Sequence, residues 1–344
     1  MEVIVPAAGL STRFPGMRPK YTLTDFDGRM MIERAIAPYI GRHHVTVGVL
    51  YEHHSEFPID TFLYNKYGTK NIKVVVLKER TAGPADTVRQ ILNLGDFNFD
   101  SNRPLFIKDC DSFFDHEESD GNYVCTSNIA EHEILKRLAS KSFVRANDQH
   151  IITDIIEKQV VSDKFCVGGY KFESTKLFYE TYNRLNITGM QEIFVSHVIQ
   201  ACLEQGVIFL NRPVSNYIDV GTAEDWHEHN DLSVVFCDID GTLVEAQPRA
   251  DFGKPWKPLP KNVERILALS QKGHQIIFTT ARPQDQQPNL EKQLEQLGFR
   301  GFRLITGLMN VKRVLINDYN AANPYPRAIA INLPRNSDTL RDFL

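Results

Sequence analysis

Short runs rich in β-branched residues alternate with longer amphipathic stretches from the start of the chain. Residues 3–5, 45–51, 72–77 and 105–107 read as strands, and 31–40, 55–67 and 85–94 carry helical spacing between them. Strands alternating with helices predict a mostly parallel, doubly wound sheet with helices on its faces. From 122 to 172 the rhythm changes to strand-length pieces at 123–126, 142–145, 151–157 and 165–172, without helix-length periodicity. These predict an antiparallel extension over the edge of the sheet. Amphipathic segments at 174–185 and 191–205, a strand at 215–220 and a charged helix at 223–231 complete this part.

At 232 the pattern restarts. An apolar strand at 234–237 runs into Asp238-Ile239-Asp240-Gly241-Thr242, and a second β/α alternation continues from there. Two α/β domains are expected, 1–231 and 232–344. The length of 344 residues agrees with this, because single cores stop growing at about 250 to 300 residues.

Composition adds exclusions. With 39 basic and 43 acidic side chains the formal charge is −4, which provides no global field for nucleic acid or an anionic membrane. Any phosphate site must therefore be local. The apolar runs fall far short of the roughly 18 residues needed to span a bilayer, and a soluble, uncleaved, cytoplasmic protein is expected. The five cysteines (Cys110, Cys125, Cys166, Cys202 and Cys237) include no CxxC pair, so they suit small buried apolar positions better than a disulfide framework or a zinc site. The histidines lack partnered acids or cysteines at ligand spacing.

The first local phosphate site follows the first strand. In Pro6-Ala7-Ala8-Gly9-Leu10-Ser11-Thr12-Arg13-Phe14, small residues let an anion approach the backbone, and Arg13 together with Lys20 of Pro19-Lys20-Tyr21 supplies positive charge. Together these residues resemble the signature of the sugar-phosphate nucleotidyltransferases, which have a doubly wound nucleotide-binding fold. Later residues extend the resemblance in order, over about 230 residues. Asp109-Cys110-Asp111 resembles the family's first metal motif, and Tyr217-Ile218-Asp219-Val220-Gly221-Thr222 resembles its second. Glu157-Lys158 resembles the pair that contacts the acceptor sugar phosphate, and Gly168-Gly169-Tyr170 the strand beside it.

The resemblance implies Mg²⁺ held by Asp109, Asp111 and Asp219, and a nucleotide loop that includes Ala8, Gly9, Ser11 and Thr12. It implies base reading around Gly83 and Asp86, and acceptor binding by Glu157, Lys158, Gly169 and Glu192. Two carboxylates and magnesium can organise an in-line displacement at the α-phosphorus while Arg13 and Lys20 stabilise the charge that builds. Ser11, Cys110, Tyr21 and Gln159 depart from the family's usual residues, which leaves the substrate open rather than the reaction. The overall pattern looks closest to nucleotidyltransferases of surface-polysaccharide clusters and leans toward CTP. The implied partners are a nucleoside triphosphate and a phosphorylated small-molecule acceptor, with no nucleic acid and no membrane; self-association stays open.

The string from Val234 to Leu243 is similar to the opening motif of the haloacid dehalogenase superfamily of phosphohydrolases. Two carboxylates at i and i+2 beyond a buried strand can divide labour. The resemblance implies that Asp238 attacks phosphorus and that Asp240 protonates the leaving oxygen and later activates water. It also implies Thr280, at the end of a strand at 275–278, as a phosphate-holding hydroxyl, and Lys312 as a cation. A strand at 314–317 is expected to end in Asp318, which would join Asp238 and Asp240 at a second Mg²⁺. The interval between Asp240 and Thr280 is too short for a capping domain, so the site is expected to be open or covered by the proline-containing segment 246–260.

A bifunctional enzyme is the leading reading: a nucleotidyltransferase fused to a phosphatase. Two others stay open. Asp109-Cys110-Asp111 has the Asp-x-Asp form by which glycosyltransferases of related fold hold a nucleotide-sugar, and the C-terminal unit can be a non-catalytic binding or dimerisation module.

Overall fold

The computed structural model describes residues 1–94, 101–131, 140–317 and 328–343. These residues divide into two compact units, Met1–Asn230 and Asp231–Leu344.

In unit 1 the strands β1 (Glu2–Ala7), β2 (His44–Leu50) and β3 (Ile72–Leu77) pair in parallel, and β4 (Leu105–Lys108) pairs in parallel with β1 on its other side. Val3, Ile4 and Val5 have no solvent exposure, as expected for a central strand covered on both faces. The helices α1 (Met31–Ile36), α2 (Tyr51–Glu56), α3 (Ile59–Tyr67) and α4 (Pro84–Asn93) link these strands. The single helix expected at 55–67 is divided, because Pro58 cannot donate the hydrogen bond that would carry α2 into α3.

The next strands are β5 (Ser112–Asp115), β6 (Asn122–Asn128), β7 (Phe143–Ala146), β8 (Ile152–Ile156) and β9 (Lys164–Phe172). Of these, β6 to β9 form the antiparallel extension that was expected, within the plane of the sheet. β9 pairs antiparallel with β4 on one side and with β6 on the other, so it continues the same sheet. The β7–β8 hairpin branches from β9 where Phe143 meets Phe165. Helices α5 (Thr175–Arg184) and α6 (Val195–Glu204) precede β10 (Phe209–Pro213), which pairs in parallel with β6. β11 (Ser215–Asp219) pairs antiparallel with β5, and α7 (Ala223–Asn230) follows.

Side chains from α4, α5 and α6 pack with Ile4, Ile107, Val124 and Phe172 in one apolar cluster. Ile32, Ile36, Ile59 and Leu63, from α1 and α3, pack with Val3, Val5, Val45 and Phe106 in the other. The sheet is thus covered on two faces. The C-terminal ends of the parallel strands β1 and β4 open on the same side, where ligands of such sheets bind.

Unit 2 contains a parallel sheet in the order β12 (Val234–Asp238), β13 (Gln275–Thr279), β14 (Arg303–Ile305), with α8 (Pro260–Gln271) and α9 (Gln287–Gln296) in the connections. Phe278 on β13 meets the ring edges of Phe299 and Phe302 in the core. The strand expected at 314–317 is not formed. Val314, Leu315 and Ile316 are 68, 56 and 91% exposed, and no described strand pairs with them. An apolar run becomes a strand only when a sheet edge takes its backbone hydrogen bonds, and no described strand does so for residues 314–316. Asp318 lies outside the described residues.

All five cysteines are buried and unbridged. None of the described helices is long and apolar enough to cross a membrane.

Candidate active sites

In unit 1, four segments converge beyond the ends of β1 and β4. After β1 the chain turns at Ser11, whose φ is +54°, and its carbonyl accepts the Phe14 amide at 2.8 Å. The Ser11 hydroxyl accepts the Lys20 amide at 3.1 Å, which ties both ends of the loop together. Gly9, Thr12 and Arg13 are left exposed, whereas Ala8 is buried. The Lys20 ammonium donates to Asp111 at 2.5 Å, and Arg13 approaches the same oxygen at 3.4 Å.

The turn between β4 and β5 carries the two acids. The Asp109 amide donates to the Gly168 carbonyl at 2.8 Å. Burial, reinforced by the neighbouring Asp111, pushes the Asp109 carboxyl up to about 6. Burial acts on Asp111 in the same direction, but Lys20 and Arg13 outweigh it and hold that carboxyl well below the usual range. Lys108 anchors the turn from below. Its buried ammonium donates to the Asp109 carbonyl at 2.7 Å and to the Ser112 carbonyl and hydroxyl at 2.6 and 2.9 Å.

Asp219 reaches the site because β11 pairs with β5, with Asp219 opposite Ser112. The Val220 amide donates to the Asp111 carbonyl at 2.9 Å, and the Gly221 amide to Asp219 Oδ1 at 3.0 Å. A Cβ at Gly221 would lie 3.0 Å from Asp219 Oδ1 and 3.4 Å from both Asp111 Oδ2 and an Arg13 nitrogen. Gly221 therefore sits where the two carboxylates and the guanidinium crowd together.

Sequence reasoning missed Lys141. Its ammonium pairs with Asp219 and donates to the Tyr217 hydroxyl at 2.9 Å, and its side chain is 16% exposed. A lone lysine ahead of a short strand carries no motif, and only the pairing of β11 with β5 brings Asp219 to it.

The candidate acceptor residues form an adjoining group. Glu157 accepts hydrogen bonds from Ser142 and, at 2.6 Å, from Ser196. Lys158, with φ +57°, lies over the Phe194 ring at 4.3 Å and 3.9 Å from Glu192. At Gly169, a Cβ would lie 2.7 Å from the Phe114 ring and 3.0 Å from Cys125, so the close packing of β9 on β5 and β6 excludes a side chain. Gly83 has φ +130° and caps α4, clamped by the hydrogen bond from the Ile193 amide to the Ala82 carbonyl at 2.6 Å. Asp86, expected beside the base, spends its carboxylate on the loop itself. It accepts from the Ala82 amide, Arg89, Gln90 and the Tyr182 hydroxyl.

In unit 2 the parallel pairing of Asp238 with Thr279 sets the ends of β12 and β13 side by side. The Thr280 hydroxyl donates to Asp240 at 3.1 Å. Gly241, with φ +87°, makes the turn and donates its amide to the Val244 carbonyl at 2.7 Å. Burial raises the Asp238 carboxyl. Arg313, rather than the expected Lys312, reaches Asp238, at 2.9 Å; Lys312 is exposed. Arg282 also escaped a sequence assignment. It is 1% exposed, and donates from Nε and Nη2 to the Asp240 carboxylate at 2.9 and 2.5 Å. Phe252 and Trp256, from the segment after Gly241, cover its guanidinium at 4.5 and 5.7 Å.

The donors at both sites are hard carboxylate oxygens. Among the described residues no three acidic, histidine or cysteine side chains gather into a metal cluster. The paired Asp111 and Asp219 nevertheless fit magnesium, which binds through one or two carboxylates and completes its shell with water and substrate phosphates.

Comparison with known proteins gives a consistent picture for each unit. Residues 235–305 match the haloacid dehalogenase-like hydrolase family. None of the curated proteins matches the sequence. Among solved structures, the N-terminal region shares the fold of sugar-phosphate nucleotidyltransferases. A nucleoside-diphosphate-sugar pyrophosphorylase from Vibrio cholerae RC9 is 18% identical with a TM-score of 0.57, over 66% of this chain and 98% of that one. The inositol-1-phosphate CTP transferase from T. maritima is 19% identical with a TM-score of 0.52, over 65% of this chain and 90% of that one. The protein thus joins a nucleotidyltransferase-like α/β fold to a haloacid dehalogenase-like α/β unit.

Proposed function

We propose that the protein is a bifunctional enzyme that transfers a nucleotidyl group from a nucleoside triphosphate to a phosphorylated sugar or polyol and hydrolyses a phosphate monoester. The observation that carries the first activity is the convergence of Asp111 and Asp219, from distant segments, with Arg13 and Lys20 beside Asp111. Arg13 is 57% exposed and meets Asp111 only at 3.4 Å, whereas Lys20 is held by the same carboxylate at 2.5 Å. Both cations stabilise negative charge on the transferring phosphoryl group as pyrophosphate departs. The acceptor's phosphate oxygen forms the new bond to the α-phosphorus, and the bond to the bridging oxygen of pyrophosphate breaks. No proton need move. Glu157 and Lys158, with Glu192 and Gly169 nearby, orient the acceptor.

In the second unit Asp238 is the nucleophile: one carboxylate oxygen bonds to phosphorus and the substrate's ester oxygen leaves. Asp240 gives that oxygen its proton and then takes one from the water that cleaves the aspartyl-phosphate. Thr280 and Arg282 keep Asp240 in place. Magnesium at each site, at Asp111 and Asp219 in one and at Asp238 in the other, would neutralise phosphate oxygens and increase the electrophilicity of phosphorus.

The lean toward CTP belongs to the same proposal, supported by the fold shared with an inositol-1-phosphate CTP transferase; so does a role in surface-polysaccharide precursor synthesis, which rests on the sequence pattern alone. Incubation of the full chain with Mg²⁺, each common nucleoside triphosphate and a panel of sugar and polyol phosphates, read by pyrophosphate release, tests it. Release that needs one triphosphate and one acceptor supports the reading; turnover of nucleotide-sugars with unphosphorylated acceptors, and of nothing else, would replace it with glycosyl transfer.

A further inference from the structure

We propose that Lys141 serves the acceptor's phosphate: it pairs with Asp219 and would be handed to that phosphate were Asp219 to hold a divalent cation. This inference rests on the nucleotidyl-transfer reading and deepens it by naming a further residue that positions the acceptor.

Three placements carry it. First, Lys141 stands between the metal carboxylates and the acceptor group. Its ammonium pairs with Asp219. Its carbonyl accepts the Lys158 amide at 3.1 Å, and the hydroxyl of the next residue, Ser142, donates to Glu157. The same few residues thus touch both halves of the site. Secondly, the cations are shared out unevenly. Arg13 and Lys20 both face Asp111, on the side of the loop after β1, so neither is available to an attacking group that enters beside Glu157. Lys158 is half exposed and lies 3.9 Å from Glu192, which offsets part of its charge. Among the described residues, an incoming dianion beside Glu157 would without Lys141 meet one partly neutralised lysine. Thirdly, the ammonium is directed rather than floppy, since the Tyr217 hydroxyl accepts from it at 2.9 Å and Tyr217 is fixed in turn against the ring of Phe165.

A phosphate monoester and a divalent cation cannot both be served while Lys141 and Asp219 remain paired. With Asp219 holding a divalent cation, the Lys141 ammonium, still oriented by Tyr217, would be free to reach the acceptor's non-attacking phosphate oxygens. It keeps its protons throughout. A neutral hydroxyl acceptor, as in glycosyl transfer, would gain nothing from such a group.

The test uses the full chain with Mn²⁺, CTP and inorganic phosphate as probes. Mn²⁺ binding is followed by electron paramagnetic resonance, and phosphate binding by the broadening of its phosphorus resonance beside bound Mn²⁺. In the wild-type protein, Mn²⁺ with CTP and phosphate should bind together. Lys141→Gln should weaken phosphate at least fivefold while Mn²⁺ binds as tightly or more tightly, because its competitor for Asp219 is gone. Lys141→Arg, which keeps the charge, should stay within about twofold for phosphate and guards against a folding defect. Mn²⁺ and CTP binding with phosphate indifferent to Lys141→Gln would overturn this assignment alone. Failure of the wild type to bind Mn²⁺ and CTP would overturn the nucleotidyl-transfer reading and this inference with it.

Discussion

Asp109 and Gly168 are fitted to each other: the Asp109 amide donates to the Gly168 carbonyl at 2.8 Å, and a Cβ on Gly168 would lie 2.5 Å from Asp109 Oδ2. The φ of Gly168 is +84°, a region that L side chains rarely adopt. Gly168→Ala therefore adds backbone strain of about 1 to 2 kcal/mol to an overpacking cost of about 1 to 3 kcal/mol. Urea unfolding of the variant should show unit 1 destabilised by roughly 2 to 5 kcal/mol, with nucleotidyl transfer lowered because Asp109 and the adjoining Asp111 must move. A change under about 0.5 kcal/mol would mean that the turn is looser than described.

Arg282 is the structural counterpart in the second unit. Replacing it with alanine leaves Asp240 without its bidentate partner, and loss of one side of a buried pair costs about 3 to 5 kcal/mol. Phosphate release should fall at least about 100-fold, the usual range for a displaced general acid. Arg282→Lys should recover part of the stability but not the two-point contact. Hydrolysis of p-nitrophenyl phosphate and a thermal melt of each variant check both effects, and unchanged hydrolysis in Arg282→Ala would remove Asp240 from the acid role.

The positions readable from sequence were those at strand ends. Asp111, Asp219 and Asp238 close apolar runs, and β1, β3 and β4 lie within a residue or two of where periodicity puts them. What sequence could not show depends on pairing between distant segments. The Asp219–Lys141 contact needs β11 set against β5, and β9 enters the sheet between β4 and β6 because its buried faces have neighbours that no local pattern names. Arg282 looks like one more polar residue after a strand until Phe252 and Trp256 are folded over it. The apolar run at 314–316 misled for the opposite reason: its composition suits a strand, but no described edge receives it.

His116 should give unit 1 part of its acid sensitivity. Burial depresses its pKa to about 4, where the ring lies flat on Phe106 at 5.1 Å. A depressed folded pKa means a contribution to stability that is present above about 6.5, the unfolded value, and is lost as pH falls through about 4. His116→Phe keeps the ring stack and removes the titration, so its stability should fall less than the wild type's between pH 6.5 and 4. Parallel denaturation curves across that window would rule out His116 as the source.

Asp111→Asn should reduce nucleotidyl transfer by at least about 1,000-fold, since it removes a proposed metal ligand and the partner of Lys20 together. The most direct measurement of the two-activity account is phosphorus NMR of the wild type, Asp111→Asn and Asp238→Asn proteins, each with Mg²⁺, CTP and the best acceptor from the panel, with phosphate-monoester hydrolysis followed in parallel. The account predicts a crossed result: Asp111→Asn loses the diphosphodiester product and pyrophosphate but still releases inorganic phosphate, and Asp238→Asn does the reverse. If either substitution abolished both activities in a folded protein, or neither altered its own, the assignment of one chemistry to each unit would be contradicted.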